Sequence, residues 1–470
     1  MRRLRISRRA VIAGGVALAG CGPSGPPSVD PQPIDKAMKM AFAPEALTLS
    51  PTLFPQTVAS GAMRSDSVLV WTRAEGLAEV TLRVWRDSTA TEVLLVTEKK
   101  LPVPGGGNVK VKVDGLAPAT WYRYAFFDAA LQQRSPIGRV RTAFPADWNE
   151  PLTIGATSCA SYRYAPFAPL IAMAKQPIDF WVHLGDVSYN DGAGSLSEFR
   201  TKWQAQLADP GYRALMPSAG GYLTWDDHEF TNNVDPEAMG LTHAIIVAGK
   251  ESFFETLPVE RGPDDRLWTS YRWGKTAEFF VLDCKLEKKP STRETPQAQY
   301  LSRAQMDWLK DGLKSSPCHF KVLLNSVPIA NMPPPLWGAQ GERWQGYPAA
   351  REELLGFLDS NDLKNVWFLS GDFHLGLVMR VERSGPRRRF LEIAAGPAGN
   401  INPLSLVLEP GQEANRKIAF PPDQFVFAGG GFLTTTLTFD PKADTVRVVF
   451  TDPRQDGKVL YDQALKFGEL

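Results

Sequence analysis

Side chains capable of metal or acid–base chemistry stand just beyond four short apolar runs of this sequence. They are Cys159 after residues 152–158, Asp186 and Tyr189 after 180–185, Asp226, Asp227 and His228 after 222–225, and Asp372 and His374 after 366–371. Ligands of α/β sheets bind beyond the carboxyl ends of the strands. We therefore expect four strand ends to deliver these side chains to one site.

Bringing several carboxylates together is costly without cations, because like charges within a few ångströms cannot all stay ionised. A pair of metal ions removes that conflict and creates a Lewis-acid centre. A thiolate, a phenolate, an imidazole and a carboxylate together suit iron, whereas carboxylate and amide oxygens suit a hard divalent ion such as calcium, magnesium or manganese. The residue types therefore predict a mixed two-metal site.

Each candidate also has a structural interpretation. Cys159 could be a buried core cysteine, Tyr189 a surface aromatic, and Asp227 with His228 a helix cap. Their shared position beyond apolar runs favours the metal site. His183 differs, because it falls inside an apolar run, and we expect it to be a hydrogen-bonded core histidine.

The elements that must position these residues follow from the apolar pattern after Pro151. Short apolar runs alternate with helical stretches, which is typical of an α/β layered domain with buried sheets. The other predicted strands are 279–282, 320–324, 431–439 and 445–451, and the predicted helices are 166–175, 302–314 and 348–358.

Residues 49–148 show a different pattern, in which apolar and polar residues alternate with period two. Val80, Leu82 and Val84 are one example, and the stretch 104–108 is a glycine-rich turn. The pattern predicts a small all-β domain of immunoglobulin or fibronectin type. No cluster of chemically capable residues falls in it.

The sequence resembles the alkaline phosphatase D family, a calcineurin-like branch of the metallophosphoesterases. The motifs that carry the resemblance are Val58–Gly61, Asp66–Arg73, Ser158-Cys159, His183–Asp186 with Tyr189, Trp225–Glu229 with Asn232-Asn233, Trp344 with Gly346-Tyr347, and Leu369–Asp372 with His374. They occur in family order over roughly residues 50 to 380. The string Trp-Asp-Asp-His-Glu followed by Asn-Asn is the most specific of them.

The resemblance implies a fold and a role for each matching residue. The fold is a four-layer sheet sandwich with helices on both sides over 149–470, preceded by the all-β domain. The iron (Fe³⁺) would be bound by Cys159, Asp186, Tyr189 and His374. Asp186 would also bridge to one or two divalent ions, with calcium as the expected metal, and Asp227 and Asp372 would bind these ions too. The substrate would be contacted by His228 and by Asn233 or Asn232.

The implied function is hydrolysis of phosphate esters by a metal-activated hydroxide, as in alkaline phosphatases and phosphodiesterases. A second hypothesis changes the substrate to a phospholipid, which a phospholipase D-like phosphodiesterase would cleave. A third hypothesis is a catalytically inactive binding lipoprotein. The natural substrate, monoester or diester, does not follow from the residues.

The N-terminus predicts export and anchoring. Arg8-Arg9 precede a weakly apolar run that ends in Leu18-Ala19-Gly20-Cys21, which is typical of a twin-arginine lipoprotein signal. We expect cleavage after residue 20, lipidation of Cys21, a tether over 21–48 and a periplasmic or cell-surface location. The predicted partners are then the twin-arginine export machinery, a membrane and the ester substrate, and we expect a monomer.

The charge balance of the chain argues against nucleic-acid binding. Residues 1–20 contain five arginines and no acidic residue, so the remainder has 47 basic against 51 acidic residues. A slightly acidic protein has no broad basic face for nucleic acid.

Cys284 and Cys318 could form a disulfide or remain free thiols. Where the family often has Leu-Asp-Thr-Arg, this chain has Cys284-Lys285 after Asp283, and a lysine lacks the bidentate fork of arginine.

Overall fold

The computed structural model describes residues 37–89, 91–333 and 340–469. The predicted signal sequence and Cys21 lie outside the described residues. The N-terminal region forms β1 (Met38–Ala41), β2 (Thr48–Leu49), β3 (Val58–Gly61), β4 (Ser67–Arg73), β5 (Glu79–Asp87), β6 (Glu92–Pro102), β7 (Asn108–Asp114), β8 (Trp121–Phe127), β9 (Gln133–Arg134) and β10 (Gly138–Arg141).

The rest of the described chain alternates strands with helices. The strands are β11 (Leu152–Ala160), β12 (Phe180–Leu184), β13 (Gly220–Thr224), β14 (Thr269–Trp273), β15 (Ala277–Val281), β16 (Phe320–Leu324), β17 (Val366–Ser370), β18 (Gly376–Arg380), β19 (Leu391–Ala394), β20 (Pro397–Gly399), β21 (Phe425–Gly429), β22 (Thr434–Asp440), β23 (Thr445–Asp452) and β24 (Lys458–Leu465). The helices are α1 (Ala168–Met173), α2 (Leu196–Leu207), α3 (Pro210–Ser218), α4 (Pro236–Met239), α5 (Ala244–Thr256), α6 (Arg303–Ser315), α7 (Pro348–Ser360) and α8 (Glu413–Ala419).

Two large mixed sheets carry the strand ends of interest. The first has the order β24-β23-β22-β11-β12-β13-β3-β4-β7, and its central strands β11, β12 and β13 are parallel. The second has the order β14-β15-β16-β17-β19-β18-β21, and β15, β16, β17 and β19 are parallel. A third sheet contains β1, β2, β5, β6, β8, β9 and β10.

The two large sheets pack face to face through aromatic side chains. Phe279 of β15 contacts Phe180 of β12 and Phe439 of β22, with ring centroids 5.1 and 5.7 Å apart. The next residue, Phe280, points to the other face and packs among Leu309 and Leu313 of α6. Both faces of the strand are thus buried, which explains why the sequence shows continuous apolar runs here instead of alternation.

The helix α6 shows how local sequence fixes the outer layer. Ser302 caps its first turn, since its hydroxyl oxygen accepts the Gln305 N–H at 3.1 Å. Met306, Leu309 and Leu313 recur at helical spacing and are buried against the second sheet. The predicted helix over 302–314 is found within one residue at each end.

The N-terminal strands do not all stay together. β3, β4 and β7 extend the first large sheet, where Gly61 pairs with Gly221 of β13, while the others form the third sheet. A Cβ at Gly61 would lie 2.3 Å from the Pro258 carbonyl oxygen, so this close approach requires glycine. The separate all-β domain over 49–148 remains a prediction. In the described ranges, no helix combines the length and apolar character needed to cross a lipid bilayer.

His183 lies in the buried strand β12, as predicted for a core histidine. Its Nε2 is 3.0 Å from the Tyr212 hydroxyl, and burial lowers its pKa to about 3. In the unfolded chain a histidine titrates near 6.5, so below that pH the unfolded state alone gains the proton, and stability is lost as pH falls.

We therefore expect protonation of His183 in the unfolded state to lower the free energy of unfolding by about 2 kcal/mol as the pH falls from 6.5 to 5. In urea unfolding, the free energy of unfolding of His183→Gln should fall by about 2 kcal/mol less over this pH range than that of the unsubstituted protein. His243→Gln, at an exposed position, is the control. Parallel pH profiles of His183→Gln and the unsubstituted protein would contradict the assignment.

Candidate metal centre

Most of the predicted ligands meet where the carboxyl ends of β11, β12, β13 and β17 face each other between the two large sheets. Cys159 lies at the end of β11, and its N–H donates to the Gly185 carbonyl beyond β12 at 3.1 Å. Gly371, just after β17, comes so close to β12 that a Cβ there would lie 2.4 Å from the Leu184 carbonyl oxygen. This glycine lets the two sheets bring their ligands together.

Most of the predicted ligands have a left-handed backbone conformation. The φ angles are 51° at Cys159, 55° at Asp186, 64° at Asp372 and 54° at His374. Non-glycine residues rarely adopt this conformation, and such strain clusters at functional sites. Asp186 and Asp372 adopt this conformation two residues after the last residues of β12 and β17.

Two groups of ligand atoms share Asp186. Ligand atoms of Cys159, Asp186 and His374 lie within 4.8 Å of one another, and so do those of Asp186, Asp227 and His228. The Tyr189 hydroxyl is 3.1 Å from Asp186 Oδ2 and 3.5 Å from His374 Nε2, which adds it to the first group. Asp186 therefore belongs to both groups and joins them.

The cluster disfavours the ionised forms of Cys159, Tyr189 and Asp186 when no cation is bound. Burial and the neighbouring Asp186 carboxylate raise the pKa of Cys159 and of Tyr189 well above their usual ranges. Burial, followed by the nearby Asp227 and Asp226, also raises the pKa of Asp186, although His228 opposes this. Asp186 Oδ1 is buried without a hydrogen-bond partner among the described residues. A bound cation would satisfy that oxygen and stabilise the ionised thiol and phenol, so the residues fit the implied metals.

The other predicted residues occupy different positions around the cluster. Asp372 belongs to neither of the two groups, although its charge lies close enough to act on Cys159. Asn233 is exposed at the rim, and its backbone N–H donates to Asp227 Oδ2. Asn232 is also exposed.

His228 has a partner that sequence reasoning missed. Its Nδ1 lies 2.6 Å from Asp191 Oδ2, and its ring stacks on Tyr189 with centroids 3.9 Å apart. Burial alone would lower the pKa of His228, but the hydrogen bond to Asp191 and the charges of Asp186 and Asp227 raise it to about 10. One ring nitrogen remains for contact with a ligand.

Two further residues hold the ligands in place, and neither was predicted. Glu229 accepts the backbone N–H groups of Asp226 at 2.7 Å, of Asp186 at 3.2 Å and of Val187, so one buried carboxylate joins two ligand-bearing turns. Asn400 donates its amide to the Tyr189 hydroxyl oxygen at 2.6 Å. The motif around Glu229 could have drawn attention to it, whereas no sequence signal marked Asn400.

The two other described cysteines belong to neither ligand group and are free. Cys284 Sγ is 3.7 Å from Asn325 Oδ1, and Cys318 Sγ is 3.3 Å from the Gly274 carbonyl oxygen. Of the two alternatives, the structure has free thiols instead of a disulfide.

Family models match both halves of the described chain. The model described as PhoD-like phosphatase matches residues 154–425, and the model of the PhoD-like phosphatase N-terminal domain matches residues 40–144. Alkaline phosphatase D of Bacillus subtilis strain 168 is 28% identical over 378 residues, which are 68% of this chain and 64% of that protein. The match therefore spans less than two thirds of the relative's length.

Solved structures agree with the mixed α/β fold. A structure of PhoD superposes with a TM-score of 0.73 at 22% identity and covers 88% of this chain and 93% of that chain. The purple acid phosphatase PPD1 from yellow lupin seeds gives a TM-score of 0.59 at 13% identity, over 87% of this chain and 74% of that chain. The mixed α/β fold of this chain is thus similar to the folds of PhoD and of this purple acid phosphatase.

Proposed function

The chain belongs to the PhoD-like phosphatase family, and from this premise we propose that it hydrolyses phosphoric esters with two kinds of metal ion. The single observation that carries the proposal is the position of Asp186. Its carboxylate belongs both to a group with sulfur and imidazole ligands and to a group with oxygen ligands and His228. Two unlike cation positions bridged by one carboxylate are the arrangement of a two-metal hydrolase.

Each cation position has its own donor set. Cys159, Asp186, Tyr189 and His374 would hold ferric iron, because thiolate and phenolate are soft or redox-suited donors. Asp186, Asp227 and Asp372 would hold a hard divalent ion such as calcium. When bound, the cations supply Lewis acidity toward the phosphoryl oxygens and make water a competent nucleophile near neutral pH.

The remaining work falls to side chains of this chain. Asp191 fixes the His228 ring through Nδ1, and this hydrogen bond favours the protonated form of the ring. The free ring nitrogen can protonate the leaving oxygen of the ester. Asn233 stands at the rim beside Asp227, where it would contact the substrate phosphate.

Metal analysis with a spectroscopic readout tests the proposal. Protein purified after native export should contain iron and turn over aryl phosphate esters, and its ferric form should absorb visible light through the Tyr189 phenolate. Tyr189→Phe should lose that absorption band, while Tyr162→Phe, at an exposed position, should keep it. An active preparation with less than one metal per chain, or a band that survives Tyr189→Phe, would refute the assignment.

The proposal also covers where the protein is located and which class of ester it cleaves. We propose export by the twin-arginine route and anchoring through Cys21, as the N-terminal residues predict. Phospholipids are the second substrate class, and one observation favours them: exposed Ile401, Leu406 and Ile418 lie in the segment that follows Asn400. Comparing turnover of a monoester, a diester and a phospholipid vesicle separates the substrate classes.

A further inference from the structure

A buried ion pair lies beside the carboxylates proposed for the divalent ion. Lys285 Nζ is 3.2 Å from Asp226 Oδ2 and 3.8 Å from Asp227 Oδ1. The side chains of Lys285 and Asp226 are each only 2% exposed. The ammonium group therefore faces the metal centre and has almost no contact with solvent.

The turn after β15 holds Lys285 in this position. Asp283 Oδ1 accepts the backbone N–H groups of Lys285 at 3.0 Å and of Leu286 at 2.9 Å, and also the indole N–H of Trp225 at 2.9 Å. Trp225 directly precedes Asp226 in the chain. The lysine and its carboxylate partner are thus fixed to each other from both sides.

Stability alone does not account for this pair. Removing two charges from water costs several kcal/mol per ion, and apolar residues of similar volume often serve as well or better. Burial alone would lower the pKa of Lys285, but Asp226, Asp227, Asp372 and Asp186 together raise it well above its usual range. The lysine thus interacts with every carboxylate that the proposed function assigns to cations.

We propose that the Lys285 ammonium is a built-in cation of the metal centre, which neutralises Asp226, keeps it out of the divalent ligand set and makes the second metal exchangeable. The inference rests on the proposed function in one respect, the assignment of Asp186, Asp227 and Asp372 to metals. A fixed positive charge beside Asp227 repels a divalent ion and competes for the same oxygens, and in a buried site that repulsion is strong. The second metal is therefore bound more weakly than the carboxylate count alone predicts.

A charge cycle at the two positions tests this. Iron-loaded protein is titrated with calcium by calorimetry in four forms: unsubstituted, Lys285→Met, Asp226→Asn and the double variant. Lys285→Met should bind calcium at least about tenfold more tightly, because the repulsion is gone and Asp226 becomes available. Asp226→Asn should bind it more weakly, since the lysine then turns wholly to Asp227. The double variant should fall between Lys285→Met and the unsubstituted protein.

The double variant guards against misfolding, because it removes both charges of the buried Lys285–Asp226 pair together instead of leaving one of them without its partner. A second readout is the melting temperature, which calcium should raise more in Lys285→Met than in the unsubstituted protein. Equal or weaker calcium binding by both lysine variants, with iron retained, would overturn the inference and leave the proposed function intact. Absence of iron from the unsubstituted protein would instead count against the proposed function.

Discussion

Asp186→Asn should lose more than about 100-fold in ester hydrolysis, because loss of even an outer partner of a metal ligand typically costs 10–100-fold. It should also bind neither metal well, since Asp186 belongs to both ligand groups. The change is conservative for the fold. Asparagine tolerates the left-handed backbone that Asp186 adopts, and Glu229 would still accept the backbone N–H of residue 186.

Asp362→Asn is the matched control for this experiment. Asp362 is also left-handed, with a φ of 46°, but its side chain is exposed and forms only a surface ion pair with Lys364. Its activity and metal content should equal those of the unsubstituted protein. If Asp186→Asn kept more than about a tenth of the activity with full metal content, Asp186 would not bridge the metals.

Asp227→Ala separates the two cation positions. Asp227 belongs only to the group that contains His228, so the variant should keep its iron and visible absorption while losing the divalent ion and its activity. Simultaneous loss of iron would show that the two positions are not distinct.

Sequence reasoning located most of the residues that meet in the candidate centre, because strand ends are encoded locally. Each apolar run marks a buried strand, and the next polar residue falls at its end, as Asp186 does after β12 and Asp372 after β17. Parallel strands then place such residues on one edge. The same logic requires no knowledge of loops.

The supporting residues could not be predicted in this way, because their partners lie on other loops. Asp191 contacts His228 from the turn after β12, and Asn400 reaches Tyr189 from beyond His374, the last residue of the motifs that carry the resemblance. Lys285 attracted notice only as a departure from the family, and its contact with Asp226 joins turns 59 residues apart in numbering. Side-chain pairs of this kind depend on how loops pack, which local patterns do not encode.

The pairing of strands in the N-terminal region could not be predicted from the alternation of apolar and polar residues either. Alternation correctly indicates strands such as β5 and β7, but it does not state which strand each one pairs with. β4 and β7 share a sheet with β13, whereas β5 belongs to the third sheet. The partner is chosen by packing between distant segments.

His228→Gln should lower hydrolysis of an alkyl phosphate by about 10²–10⁴-fold, the usual contribution of a positioned general acid. The effect should be much smaller with a nitrophenyl phosphate, because nitrophenolate leaves readily without a proton. Iron should be retained, since Cys159, Tyr189 and His374 are untouched. Asp191→Asn should show the same substrate dependence with a smaller loss, because the ring remains but loses its orienting partner and the charge that favours its protonated form.

A second histidine–carboxylate pair provides the control. His319 Nε2 lies 2.6 Å from Asp444 Oδ1, the same separation as in the His228–Asp191 pair, but it precedes β16 and so stands at the opposite end of the sheet. His319→Gln should leave both substrates unaffected. Equal losses of activity on alkyl and nitrophenyl esters in His228→Gln would mean that His228 acts by holding the phosphate or a cation. Only the benefit of protonating the leaving oxygen depends on whether that oxygen is a good or a poor leaving group without a proton.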